Sequence, residues 1–377
     1  MPGDSSLPNQ DLHVGQLNFP KKEELKESFR GIFERQFFTN HGPLVAQLDE
    51  QLAQRFGVKN AISVTNGTVA LMAGLAALEL KGEVIVPSFT FVATVQSLIW
   101  SGLTPVFCDV DTDTHCITPD LVEPLITDKT TAILGVHIWG RVCDTAGLQA
   151  LATKHNLRLI FDAAHAVASK SNNVTVGGFG VLECFSFHAT KVLCGAEGGC
   201  LTTNDDELAG LIRTARNFHV SETFANVVPR INGKMTEAQA AITLLSLQDL
   251  DENITRNRET YKFYQAELLD IKGIKFVDYD RGQESNCQYV VIEMQQDEQK
   301  NREQLLNFLR ERNIFARTYF SPGIHTLPFV AELIDEVPKL PNTEHLCRSL
   351  IQLPIGLQVS LAEAETVSRL IQTFMKS

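Results

Sequence analysis

The sequence predicts an α/β protein: a three-layer α/β/α domain on a mainly parallel sheet, followed by a smaller C-terminal α+β domain. Three observations carry this. Between about residues 60 and 205, short β-rich runs alternate with helical patterns. Those runs are nearly continuous in apolar residues, the pattern of strands buried on both faces of a parallel sheet. After "AQAAITLLSLQDLDENITRNRETYKFYQAELL" the texture changes to shorter, mixed elements.

In chain order, "NAISVTNGT" is a strand running into the helix "VALMAGLAALEL". "EVIVP" precedes "FVATVQSLIWSG", "TPVFCDV" precedes "TPDLVEPLI", and "TTAILGVH" precedes "TAGLQALATKH". "LRLIFDAAH", "LECFSFH" and "GCLTTN" complete the sheet. Strand–helix alternation of this kind builds βαβ units with helices on both faces. The "AQAA…AELL" stretch reads as one long helix or a broken pair joining two domains. Beyond it, "QYVVIEM" and "IFARTYF" read as strands, and "NREQLLNFLRERN" and "LAEAETVSRLIQTFM" as helices. The expected division is an N-terminal arm at 1–15, a large cofactor-binding domain at 16–250 and a small domain at 251–377.

The length of 377 residues suits about two domains and permits a large core. Hydrophobic residues make up 44% and charged residues 21%, an ordinary globular balance. The longest apolar run, "VALMAGLAAL", is too short to span a bilayer. The start, "MPGDSSLPNQDLHVGQ", lacks the basic and apolar regions of a signal peptide, so an extended or mobile arm on a cytoplasmic protein is expected. A net charge of −12 disfavours nucleic acid and anionic membranes as partners. The eight cysteines form no C-x-x-C pair. Buried reduced thiols are therefore expected, with neither a metal site nor a redox dithiol.

Chemistry in an open α/β sheet is sought beyond the carboxyl ends of its strands. There "LRLIF" ends in Asp162, an acid behind a buried strand that needs a cationic partner if it is to stay charged. A helix N-cap suits an aspartate equally well. In "SVTNGTVAL", Gly67 permits close backbone approach, and the amides of Thr68 and Val69 offer a helix N-terminal anion site; an ordinary capped turn meets the same pattern. The third fragment is "CFSFHATKVLCGAEGGC", in which Lys191 stands among Phe185, Phe187, Val192 and Leu193. An amine held in so apolar a place has a lowered pKa and is free to attack a carbonyl. A phosphate-type turn, a strand-end acid and such a lysine are what pyridoxal 5'-phosphate requires: a cradle, a partner for the pyridine nitrogen, and a Schiff-base lysine.

At these residues the chain resembles the DegT/DnrJ-type sugar aminotransferases, of the aspartate aminotransferase-like fold type I pyridoxal phosphate enzymes. The resemblance runs from "TNHGPLVAQLDEQLAQRFG" through "VPSFTFVAT", "TPVFCDVD", "DAAHA", "FSFHATK" and "EGG" to "RINGKMTEAQAA". It is nearest to enzymes that aminate a 4-keto-6-deoxy sugar carried on a nucleotide. The resemblance implies that Lys191 bonds the cofactor and then moves the proton, that Asp162 faces the pyridine nitrogen, and that His165 lies near the ring. Phe91 would stack on the ring, and Ser186, Thr68 and the amides around Gly67 and Val69 would hold the phosphate. Asn232 in "RINGKM" matches an asparagine lent to the neighbouring subunit's phosphate, which implies a homodimer with shared sites. Where the family more often has G-x-N-x-R-M, this chain has Arg230, Asn232, Lys234 and Met235. Asn40, His41 and His325 match positions used for the sugar. Glutamate is the implied amino donor and an aminosugar the product. Rival readings are amination of a cyclitol or sugar acid, and a silent member serving as a binding scaffold. The branch that carries histidine in place of the Schiff-base lysine is disfavoured by Lys191 itself.

Overall fold

The computed structural model describes residues 8, 10–218, 231–278, 283–295, 302–334 and 336–376. Its centre is a seven-stranded sheet in the order Asn60–Val64, Gly199–Thr203, Leu182–Ser186, Arg158–Asp162, Thr130–Val136, Glu83–Pro87, Thr104–Cys108. Every neighbouring pair is parallel except those made by Gly199–Thr203, which runs against both its neighbours. Side chains on both faces are buried: Ile133, Leu134, Leu159, Ile160 and Phe161 are essentially inaccessible. This is the mainly parallel α/β architecture read from the apolar runs.

The helix Gly67–Ala77 is apolar almost all round, and most of its residues are buried. A helix of that kind must be enclosed. Gly74 lets it approach the sheet, since a Cβ there would stand 3.0 Å from Leu201 and 3.1 Å from Leu182. The stretch expected as one helix or a broken pair is a broken pair, Glu237–Gln248 and Leu250–Leu268, interrupted at Asp249. Its start is set by a capping box, in which Thr236 and Gln239 satisfy each other's backbone N–H groups.

After the break comes a three-stranded antiparallel sheet, Ile274–Phe276, Val290–Met294 and Leu350–Leu353, with the second strand central. The helix Leu361–Lys376 packs on Leu250–Leu268 and on Arg302–Arg310. Of "IFARTYF", only Ile314–Phe315 pairs as strand. Its partner is Leu12–His13, in parallel register. The described part of the N-terminal segment is thus extended and anchored rather than mobile, with Leu12 and Gln16 fully buried. Gln16 Nε2 donates to the Gln288 carbonyl at 2.9 Å. All eight cysteines are buried, and none is joined to another in a disulfide. Among the described residues no helix is long and apolar enough to cross a membrane.

Candidate active site

A cavity of about 430 Å³ opens at the carboxyl ends of the parallel strands, where ligands of such sheets bind. Asp162, the last residue of its strand, is one of its walls and is 7% exposed. Its Oδ2 accepts from Thr94 Oγ1 at 2.8 Å and its Oδ1 from the Ala164 N–H at 3.0 Å. Burial pushes its pKa up, while these two hydrogen bonds and the charge of Lys191 pull the other way. No helix starts behind it: residues 163–169 form turns, so the N-cap alternative falls away. His165 lies in one of those turns, buried. Its Nδ1 accepts from the Trp139 N–H at 3.4 Å, and its ring lies nearly parallel to those of Trp139 and Phe320, at 6.0 Å from each. Burial, then the charge of Lys191, holds its pKa well below the usual range, so the ring is neutral.

Gly67 and Thr68 open their helix at the cavity edge, where the first N–H groups have no intrahelical acceptor. Gly67 has a specific reason to be glycine: a Cβ there would stand 2.8 Å from Ser186 Cβ. Ser186 ends its strand beside them, and its Oγ accepts from the His188 N–H at 3.3 Å. Val69 departs from expectation. Its amide is not free but donates to the Asn66 side chain at 2.9 Å, and Val69 does not line the cavity.

Lys191 sits in the connection between Ser186 and Gly199. That connection is folded on itself by backbone bonds from Phe187 to Gly198 (2.8 Å), Ala189 to Ala196 (2.9 Å) and Gly195 to Phe187 (2.7 Å). Phe187, Val192 and Leu193 are all buried there. Their company explains the apolar setting of the lysine: they root the loop in the core while the amine reaches the cavity. Burial pushes the Lys191 pKa down to about 8, against the opposing charge of Asp162. Phe91, just before its helix, is half exposed on the rim and tilts toward Phe320 at 6.3 Å.

The structure therefore gathers Lys191, Asp162, His165, Gly67, Thr68, Ser186 and Phe91 around one space. It does not bring Asn232, Asn40, His41 or His325 to it. Asn232 accepts from Lys234 Nζ at 2.5 Å away from the cavity wall. Arg230 lies outside the described residues. Asn40 and His41 line a second, smaller cavity. His325 is 1% exposed, with its Nδ1 2.6 Å from Ser88 Oγ.

Several cavity residues were not singled out from the sequence. His188 and Glu197, 3.9 Å apart, lie within the quoted "SFHATK…EGG" stretch, and their polar character was the available signal. Tyr289, Tyr319 and Phe320 come from the C-terminal part of the chain, and no local pattern marks them. His137 is held by Glu183 (Nε2–Oε1 3.0 Å, both fully buried) next to Asp162.

Residues 20–372 match the DegT/DnrJ/EryC1/StrS aminotransferase family. A dTDP-4-amino-4,6-dideoxy-D-glucose transaminase of Shigella dysenteriae is 38% identical over 351 residues, covering 93% of this chain and 95% of that one. The protein of that name from Escherichia coli is 31% identical, over 92% and 94% of the two chains. Among solved structures, DesI in the presence of its TDP-sugar product superposes with a TM-score of 0.94 at 37% identity, over 98% of this chain and 94% of that one. DesV of S. venezuelae in complex with a ketimine intermediate gives 0.90 at 26%, over 97% and 100%.

Proposed function

The chain belongs to the DegT/DnrJ/EryC1/StrS aminotransferase family, and from that premise we propose that it is a pyridoxal phosphate-dependent enzyme that aminates a nucleotide-linked 4-keto-6-deoxyhexose. The observation that carries the reading is the meeting, in one cavity, of a lysine amine of lowered pKa, a buried strand-end carboxyl and the Gly67–Thr68 start of a helix. The cofactor fits these residues. Gly67 lets the helix N-terminus close against Ser186, where a Cβ would stand 2.8 Å from Ser186 Cβ, so that amides and hydroxyls converge where a phosphate would be received. Asp162, short of a fixed cation, suits a protonated ring nitrogen.

When bound, pyridoxal phosphate supplies an electron sink that stabilises the carbanion left when a C–H bond beside an amine breaks. The chain supplies the rest. Lys191 presents a neutral amine for covalent attachment, and its Nζ then carries the proton between carbons. Asp162, oriented by Thr94 and Ala164, holds a positive charge at the far side of the cavity. Neutral His165 donates from Nε2, because its Nδ1 is already accepting. Trp139 and Phe320 flank it and keep water out.

The substrate class is supported by the names of the relatives and by the TDP-sugar product in DesI. Glutamate as amino donor, a cytoplasmic setting and a homodimer in which Asn232 reaches the neighbouring subunit belong to the same reading. The position of Asn232 outside its own chain's cavity is consistent with the last.

The deciding experiment is the visible spectrum of the purified protein with pyridoxal phosphate, after glutamate, and then after a dTDP-linked 4-keto-6-deoxyglucose. The band should be bleached by glutamate and restored by the sugar. No band at all, with excess cofactor, would sink the reading.

Two further outcomes follow from the geometry. Capture of pyridoxal phosphate by the cofactor-free protein needs a neutral Lys191. Its rate should rise with pH, level off above about 8, and be followed by stopped flow; a midpoint near that of an ordinary lysine would refute the role of burial. Gly67→Ala drives a methyl against Ser186 and should weaken cofactor retention by roughly tenfold, a usual scale for overpacking, as read by equilibrium dialysis.

A further inference from the structure

The groups on either side of Lys191 take their hydrogen bonds from outside its loop. Within the loop, the Lys191 N–H donates to the His188 carbonyl at 2.8 Å. The Val192 N–H donates instead to Gln288 Oε1, and the Thr190 carbonyl accepts from Gln288 Nε2, each at 2.9 Å. One side-chain amide thus holds the peptide before Lys191 and the peptide after it. Two residues of the N-terminal segment complete the grip. The Gln16 N–H donates to the Thr190 carbonyl at 3.1 Å, and Asn18 Nδ2 to the Val192 carbonyl at 2.9 Å.

Gln288 is itself fixed. It is 1% exposed, its N–H donates to Asn286 Oδ1 at 2.9 Å, and its carbonyl accepts from Gln16 Nε2 at 2.9 Å. Asn286, fully buried, spends its Nδ2 on the His165 and Val167 carbonyls, both at 2.9 Å. Its own N–H donates to Ser169 Oγ at 3.2 Å, and Asn257 Nδ2 reaches its carbonyl at 3.3 Å. The run Asn286–Gln288 therefore joins the turn carrying His165 to the loop carrying Lys191. Cys287 between them has φ of 49°, a conformation that residues bearing a Cβ adopt only where their surroundings impose it. Tyr289 follows at once, edge-on to His165 with ring centres 4.9 Å apart, and lines the cavity.

A buried glutamine must find partners, and many backbone groups could serve. The two that Gln288 engages belong to the two peptides of the reacting lysine. Displacing a reacting atom by about 1 Å can cost roughly a hundredfold in rate, so whatever fixes the lysine backbone bears on the chemistry. We propose that Gln288 is a positioning residue for Lys191: its amide sets the orientation of both peptides of the lysine and, through Asn286, the spacing of the amine from the His165 turn. Gln288 has this part on the role given to Lys191 above.

Gln288→Met keeps a side chain of similar length and deletes both bonds, whereas Gln288→Asn keeps an amide too short to span the lysine. In the cofactor-free, full-length protein, hydrogen exchange at the Val192 N–H should accelerate by roughly tenfold or more in Gln288→Met, a local opening that spares the strand Arg158–Asp162. Competitive labelling with acetic anhydride across pH, read by mass spectrometry of the Lys191 peptide, should give a wild-type midpoint of about 8. In Gln288→Met that midpoint should move up by roughly one unit, because a loosened loop lets water reach the amine while Asp162 and neutral His165 still face it. In the pyridoxal phosphate-loaded enzyme, kcat should fall by roughly tenfold to a hundredfold, with KM for the amino donor little changed. Gln288→Asn should stand between wild type and Gln288→Met in each readout, and it decides the matter if the methionine variant does not fold. Exchange and a labelling midpoint that stay at wild type in the folded variants overturn the proposal, as does a lowered melting temperature with kcat unchanged. A wild-type protein without the visible band would count against the aminotransferase reading instead, and exchange and labelling would still decide whether Gln288 fixes the lysine.

Discussion

Lys191→Ala should reduce turnover by roughly a factor of 10⁴ or more, since in the proposed mechanism one side chain is both the covalent attachment point and the proton carrier. The fold should survive, because the loop is held by its own backbone bonds and by Phe187, Val192 and Leu193 rather than by the amine. The purified variant should melt at or above the wild-type temperature, since a buried amine is removed. Borohydride should no longer fix the cofactor covalently to the chain. Residual transamination within a hundredfold of wild type would remove Lys191 from the centre of the mechanism.

Asp162→Asn is the second large effect. Asparagine keeps the Ala164 N–H on its one carbonyl oxygen and can turn its NH2 toward Thr94 Oγ1, which then accepts instead of donating, so the shape of the strand end is largely kept while the charge is deleted. On the proposed function, removing that charge would take from the cofactor's ring nitrogen the partner that Asp162 would supply to keep it protonated. The C–H cleavage step should slow by roughly two to three orders of magnitude, the scale on which losing one preorganised electrostatic partner slows an enzyme. Single-turnover kinetics with deuterated amino donor would show the loss in the isotope-sensitive step, with donor binding little changed. Wild-type rates would return Asp162 to a purely structural place beneath its turn.

The sheet and the central part of the site were legible because they are locally encoded. Each strand is an apolar run with a polar end, and Asp162, Ser186 and Lys191 stand at or just after such ends. Gly67 could be read as a close approach, although its opposing group, Ser186, is far along the chain. What escaped is what depends on contacts between distant segments. The donor at Val69 is consumed by Asn66, a side-chain choice that the periodicity of the helix does not reveal. Tyr289, Tyr319 and Phe320 reach the cavity only because the C-terminal part folds back over the strand ends. Composition left the N-terminal segment as an extended or mobile arm, and only the pairing of Leu12–His13 with distant Ile314–Phe315 makes its described part the extended one.

The reversed strand Gly199–Thr203 has a consequence for how such a protein can diversify. Because Gly199 stands opposite Ser186 in register, the loop bearing Lys191 leaves and rejoins the sheet at the same end, tethered at both feet. Of the opposite wall, Tyr289 follows Gln288, whose side chain accepts from the Val192 N–H and donates to the Thr190 carbonyl, each at 2.9 Å, whereas Tyr319 and Phe320 lie in a stretch outside those tethers. On the proposed function, the reacting amine and the Tyr319–Phe320 part of the wall therefore lie on different segments. Substitutions at Tyr319 and Phe320 are then expected to change which ketone is admitted while Lys191, Asp162 and Ser186 keep their spacing.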